Sequence, residues 1–375
     1  MQYLQCKIAL LSFHNAANYG AALQAFALQE ALTRKGYVCE YIDYRNTYRS
    51  NAYNMSYHVW CSLKARKLKS AFLYFLGTPF MCLRKYRFNK FYRRYLHCTA
   101  SIYHSSAEAK VLNDKYDKFI VGSDQVWNYE NNGRDFAFLL DFVTDDEKKI
   151  SYSSSFGLSS VPKDLRKEYK YNLLKIKYIS VRERYAVNLV RELSGRCAEL
   201  VLDPVFLLSR EEWQRFLLNR PRSKYIFTYT NQPGQVERFF NQTGYDIQYF
   251  KHYKLARATS LLDFLSSHTC VKYAMSPSEF VSCINYAELV VSASFHCIAL
   301  SIILNKPFIA ILTGDTGKDE RVLSILQLLG LQNRIYSPSM TLEEINLPIN
   351  YESVNEEIFR LRKDSFQFLI NSIEK

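Results

Sequence analysis

Four stretches of this chain set chemically capable side chains directly after a short apolar run. KFIV at 118–121 is followed by Gly122, Ser123, Asp124, Gln125, Val126, Trp127 and Asn128. Carboxylates and amides bind hydroxyls, and an indole stacks on the apolar face of a sugar, so Asp124, Gln125, Trp127 and Asn128 make a candidate saccharide loop. Trp127 taken alone reads as core. LVVS at 289–292 runs into Ala293, Ser294, Phe295 and His296. A histidine opening a helix lies in the field of its free amides, where it can hold an anion or exchange a proton near neutral pH. PFIAIL at 307–312 leads to Lys318 and Arg321, and YISV at 178–181 to Arg182. Two cations and an imidazole around one cleft suit a ligand carrying phosphate and carboxylate. Arg182 is either a third such cation or the salt-bridge partner of Glu183 or Asp203. KIALLSF at 7–13 precedes His14–Gly20. There Gly20 permits a tight turn, and the next helix start favours an anion beside Asn15, Asn18 and Tyr19. A solvated turn capped by Asn18 is the plainer reading.

These loops matter because open α/β sheets bind ligands beyond the carboxyl ends of their strands. Strands are expected at Lys7–Phe13, Val38–Ile42, Lys118–Gly122, Lys149–Ser155, Tyr178–Val181 and Leu200–Leu202. Helices are expected at Ala21–Arg34, Pro162–Lys175 and Glu183–Leu193. Between them, Val59–Leu76 and Met81–Leu96 read as two helices parted by Pro79. Ser209 with Glu212 is a capping box. Around Pro221 the alternation restarts, with strands at Tyr225, Tyr245–Phe250, Leu289–Ser292 and Pro307–Leu312. Helices follow at Pro233–Thr243, after the Ser276–Pro277–Glu279 start, and at His296–Leu304. Glu352–Ile373 is a long terminal helix able to pack on either half. The chain thus divides into residues 1–220, with a helical insert at 45–107, and residues 221–375, each a parallel Rossmann-like α/β domain.

Composition narrows the classes. Of the net charge of +13, twelve cations lie between Tyr44 and Ala107, where there is no Asp or Glu. Basicity therefore belongs to the insert. Interleaved with Tyr, Phe, Trp and Leu, it suits an anionic membrane surface, or else a solvated hairpin. No nucleic-acid-reading motif accompanies it, so nucleic acid is not an expected partner. Nine cysteines without a C-x-x-C pair read as reduced thiols of a cytoplasmic protein, with no metal site. No run approaches the ~20 apolar residues of a membrane span. Neither G-x-G-x-x-G nor a P-loop is present, which argues against a dinucleotide cofactor.

Taken in order, KIALLSFHNAANYGAALQAFALQEAL, FIVGSDQVWN, ISYSSSFG, ISVRE, LDPVFLL, SPSEFVSCINYAELVVSASFH and the Arg321 helix into LGLQNR resemble the polysaccharide pyruvyl transferase family over nearly the whole chain. The resemblance implies a GT-B-like fold of two facing domains. It implies transfer of pyruvyl from phosphoenolpyruvate to sugar hydroxyls as a ketal, with no cofactor. On that footing His296 is the general acid or base, and Asp124 takes the hydroxyl proton. Arg182, Ser292, Ser294, Lys318 and Arg321 bind the donor. Asn15, Asn18, Tyr19, Gly20, Gln125, Trp127 and Asn128 bind the acceptor. The acceptor would be a lipid-linked oligosaccharide of a surface polysaccharide, met at the inner face of the membrane. Family members often carry Arg-Leu-His where this chain has Ser294-Phe295-His296, so its anion binding must rest on other cations. The alternative is a GT-B glycosyltransferase using a nucleotide sugar, for which the second domain offers no clear acidic residue to hold a ribose.

Overall fold

A computed structural model describes residues 6–52, 54–230, 246–250, 269–272 and 274–375. The helix expected at Pro233–Thr243 lies outside them. The first domain is built on a seven-stranded sheet: β1 (Lys7–Leu11), β2 (Val38–Tyr44), β3 (Cys98–Tyr103), β4 (Lys118–Val121), β5 (Lys149–Ser154), β6 (Tyr178–Val181) and β7 (Glu199–Leu200). Its order is β3-β2-β1-β4-β5-β6-β7, with every pairing parallel. The second sheet holds β8 (Tyr225–Tyr229), β9 (Asp246–Phe250), β10 (Thr269–Val271), β11 (Leu289–Ser292) and β12 (Phe308–Ala310). Its order is β10-β9-β8-β11-β12, again parallel. Parallel strands covered on both faces read as continuous apolar runs, which is why β1, β4 and β11 were visible in sequence. The edge strands β3 and β10 carried no such signal. In β3 only Tyr103 is fully buried.

One apolar core runs through both domains. The helix Tyr19–Arg34 is buried along almost its whole length, because the first sheet covers one side and second-domain side chains such as Phe280 cover the other. The terminal helix Tyr351–Glu374 crosses back. Tyr351 Oη donates to Lys306 O on the second domain. Farther along, Ser365 Oγ accepts from Leu202 N at 2.9 Å and Tyr37 Oη donates to Glu374 at 3.0 Å.

The basic insert differs from expectation. Met55–Lys64 and Leu68–Tyr95 form a hairpin, and the second helix runs unbroken through Pro79. Proline costs that helix one amide donor; the Thr78 hydroxyl bonds back to Tyr74 O at 2.9 Å in the same turn. The break falls instead at Ala65–Lys67, where Arg66 takes φ 56°. Two of the insert's cations point inward. Arg84 is buried over the rings of Tyr19 and Phe88. Arg87 pairs with Glu279 at 3.0 Å, tying the insert to the second domain.

Candidate active site

The carboxyl ends of β4, β6 and β7 place Asp124, Arg182–Glu183 and Asp203 side by side. The end of β11 brings His296 from the second domain against them. Arg182 is the hub. Its Nη1 donates to Asp203 Oδ2 at 2.5 Å and its Nε to Glu183 Oε1 at 3.1 Å, while Nη2 stands 3.4 Å from Asp124 Oδ1. Its side chain is 1% exposed, so the guanidinium is spent inside the protein. Of the two readings of Arg182, the salt bridge holds, and it is not a free cation for a ligand. Burial works against its charge, but Asp203, Glu183 and Asp124 more than offset this and hold it protonated.

Asp203 is the shared acceptor. Besides Arg182 it takes Ser123 Oγ at 3.1 Å and its own turn's Val205 N at 3.1 Å. His296 Nε2 lies 3.5 Å from Asp203 Oδ2 and makes no hydrogen bond among the described residues. Burial alone would raise the Asp203 pKa. His296 and Arg182 overcome that and push it well below the usual carboxylate range. Asp124 is also held down: its burial is outweighed by Arg182, His296 and Arg321. Glu183 goes the other way, because burial wins over Arg182. Arg321, on the helix Thr316–Leu328, feels Glu183 and Asp124 as well. Its pKa is lowered, mainly by burial and then by Arg182. Its Nε has no partner among the described residues.

The backbone around this cluster is tightly specified. A Cβ on Gly20 would lie 2.1 Å from His296 Nδ1, so only glycine lets the imidazole rest on the first helix of the other domain. Gly122 has φ 123°, and a Cβ there would meet Tyr152 O at 2.1 Å. The Gly122–Ser123 peptide is cis. Ser123 N donates to Gln24 Oε1 at 3.2 Å and Ser12 Oγ to Ser123 O at 3.0 Å.

The other sequence candidates separate into two groups. Gln125 lines the same loop as Asp124, with its amide oxygen held by Asn131 Nδ2 at 2.9 Å. Asn15 donates to Tyr44 O, and Asn18 caps the first helix by accepting from Ala21 N. Ser292 Oγ donates to Tyr229 O at 2.5 Å and accepts from Ser294 N, and Ser294 is the N-cap residue before His296. Lys318 is on the first turn of the Thr316–Leu328 helix; its side chain lies outside the described residues. Three acceptor candidates are corrected. Trp127 is fully buried, with Nε1 bonded to Phe138 O and its ring against Phe156, so it is core and no sugar platform. Asn128 is spent capping Glu130 and Asn131. Tyr19 is fully buried between the domains, stacked on Phe280 at 4.5 Å and bonded to Met275 O. Sequence reading took Asp203 only as a partner for Arg182, although the strand-end rule that marked Asp124 applied to it equally.

Several solved structures share this architecture. A Listeria monocytogenes chain described as a UDP-N-acetylglucosamine 2-epimerase superposes with TM-score 0.55 at 9% identity, covering 98% of this chain and 90% of that one. The UDP-GlcNAc 2-epimerase of Neisseria meningitidis, bound to UDP-GlcNAc, gives 0.53 at 10% identity, over 98% and 100%. At such identities the likeness is one of fold, and the fold is GT-B. No curated protein sequence matches the chain. The model of the polysaccharide pyruvyl transferase family matches residues 18–315, which contain every member of the buried cluster except Arg321. The chain belongs to the polysaccharide pyruvyl transferase family.

Proposed function

We propose that the chain moves a pyruvyl group from phosphoenolpyruvate onto two hydroxyls of one saccharide residue as a cyclic ketal. The observation that carries this reading is the proton-handling set spanning both domains at the strand ends: His296 beside Asp203, with Asp124 and Arg321 in electrostatic reach. Imidazolium His296 protonates the donor's methylene carbon, making it a methyl group and leaving C2 electrophilic. A saccharide hydroxyl adds to C2, and Asp124 takes its proton. The second hydroxyl then attacks C2, the bond from C2 to the phosphate oxygen breaks, and the proton of that hydroxyl leaves with hydrogen phosphate. Arg182 is neutralised by its own carboxylates, so the donor's charge falls to Arg321, to Lys318 and to the free amides of their helix. The test is incubation with phosphoenolpyruvate and saccharide extracts. Phosphate release matched by a mass gain of one pyruvyl unit less water on the saccharide is expected, and nucleotide release from a nucleotide sugar instead would sink it.

The insert supports a second part of the reading, peripheral attachment to an anionic bilayer that carries the acceptor. Among the described residues no helix is long and apolar enough to cross a membrane. Yet Leu68, Phe72, Phe75 and Tyr86 are each more than half exposed along one helix, with Trp60 and Leu63 on its hairpin partner. Exposed Lys64, Arg66, Lys67 and Lys69 cluster at the hairpin turn. Apolar side chains ringed by cations suit an anionic headgroup layer, at about 1 kcal/mol per basic residue. Exchanging Phe72 and Phe75 for serine and those four cations for glutamine should weaken binding to phosphatidylglycerol vesicles about a hundredfold. Undiminished vesicle binding removes the attachment.

A further inference from the structure

Beside the catalytic cluster, the first domain holds a larger space to which no role has been given. A groove of about 650 Å³ opens beyond the carboxyl ends of β1 and β2, walled on its outer side by the basic insert. Arg45, Arg49, Lys85 and Arg93 line it, together with the amides of Asn15 and Asn89. These cations come from three separate elements. Arg45 follows β2, Arg49 belongs to the short helix Thr47–Ala52, and Lys85 and Arg93 stand two turns apart on the helix Leu68–Tyr95. Asp43 is the one acidic residue in the lining; it is bound at both oxygens by Arg45, at 2.7 Å each. Lys85 and Arg93 are exposed and have no ion-pair partner among the described residues. His14 also lines the groove, and burial keeps it neutral, with a pKa lowered to about 4. The groove is therefore short of negative charge while its amides remain suited to hydroxyls.

Its position adds a direction. Asn15 lies on the loop that continues through Asn18 to Gly20, the residue on which His296 rests. The Tyr92 hydroxyl of the insert donates to Ala16 O and fixes that loop to the groove wall. A ligand lying along the loop would place one end toward His296 and Asp124 and the other among the four cations. The volume is too large for a three-carbon donor, and clustered guanidinium and ammonium groups are suited to phosphoryl oxygens.

The geometry points to this groove as a diphosphate subsite, with Lys85 and Arg93 gripping the diphosphate of a glycosyl-diphosphate acceptor whose sugar reaches toward His296. The inference rests on the proposed transfer for the direction of the sugar, but not for the anion binding itself. Two carriers share this chemistry, a prenyl lipid and a nucleotide. Titration calorimetry with inorganic pyrophosphate, farnesyl diphosphate and UDP tests it on the wild type and on a Lys85→Glu, Arg93→Glu double variant. Both positions are on the exposed face of the insert helix, so the fold should survive, which melting at unchanged temperature would verify. Pyrophosphate affinity is expected to fall about a hundredfold, about tenfold for each charge-assisted contact removed. Farnesyl diphosphate should lose affinity in parallel. If UDP instead binds more tightly than farnesyl diphosphate and is the one weakened, the subsite stands with a nucleotide as the carrier. Equal pyrophosphate affinity in the variant and wild type, or no binding by either, overturns the subsite. Phosphate release from phosphoenolpyruvate in the same preparations reports separately on the transfer, since a chain without that activity would still show the loss of pyrophosphate affinity.

Discussion

His296→Ala should lower phosphoenolpyruvate-dependent phosphate release by roughly a hundred- to ten-thousandfold, the range lost with a positioned acid or base. The expectation follows from where the ring is held. One edge rests on Gly20, with no room for even a methyl group between them. The opposite nitrogen is 3.5 Å from the Asp203 carboxylate and makes no hydrogen bond among the described residues. The ring is thus fixed by packing, and its polar edge remains available for proton exchange. A His296→Gln variant separates chemistry from packing. Glutamine fills much of the same space and can face Asp203, but it cannot carry a proton to carbon. It should melt close to the wild type and be as inactive as the alanine variant. Stopped assays of phosphate release, run alongside melting curves, make the comparison. Either variant turning over within a few-fold of the wild type removes His296 from the chemistry.

Much of the fold was readable because parallel strands covered on both faces leave long apolar runs and their helices carry sharp caps. The Ser276–Glu279 and Ser209–Glu212 boxes both form as spaced. The edge strands β3 and β10 were not readable, since an edge strand with a wet face need not be apolar. Pro79 misled because local propensity yields to tertiary packing, here a hairpin partner along the helix. At the candidate site the strand-end rule correctly directed attention to the loops holding Asp124, Arg182 and His296. It could not tell which side chains of a loop face the cleft. Trp127 and Tyr19 are the kinds of residue that grip sugars, yet they are equally the kinds that fill cores, and burial decides between these only once the fold is known. The charge state of Arg182 was hidden for a related reason. Whether a guanidinium is free for a ligand depends on three carboxylates from three different loops, which sequence spacing does not bring together.

Those same carboxylates give the second large expectation. Asp203→Asn should destabilise the protein by about 3–5 kcal/mol, the cost of leaving a buried ion pair with one member. Asparagine can still accept from Ser123 and Val205, but Arg182, 1% exposed, would lose its closest anion and could not recover it from water. The pH dependence gives the sign. Burial would raise the folded pKa of Asp203, yet His296 and Arg182 push it below its ordinary 3.8. A carboxyl depressed in this way supplies stability that is fully present above the unfolded value and is lost as pH falls through the folded one. Wild-type stability should therefore decline as pH drops below about 4. The D203N variant has no such proton to take up, so the gap between the two proteins should close over that window. Urea unfolding from pH 7 down to pH 3 measures both curves. The largest separation should come near neutrality, where His296 also loses the carboxylate that faces it and phosphate release should fall with stability. A constant gap across the whole range would mean that Asp203 acts through shape alone, and that the buried charges of Arg182 and His296 are balanced by some other group.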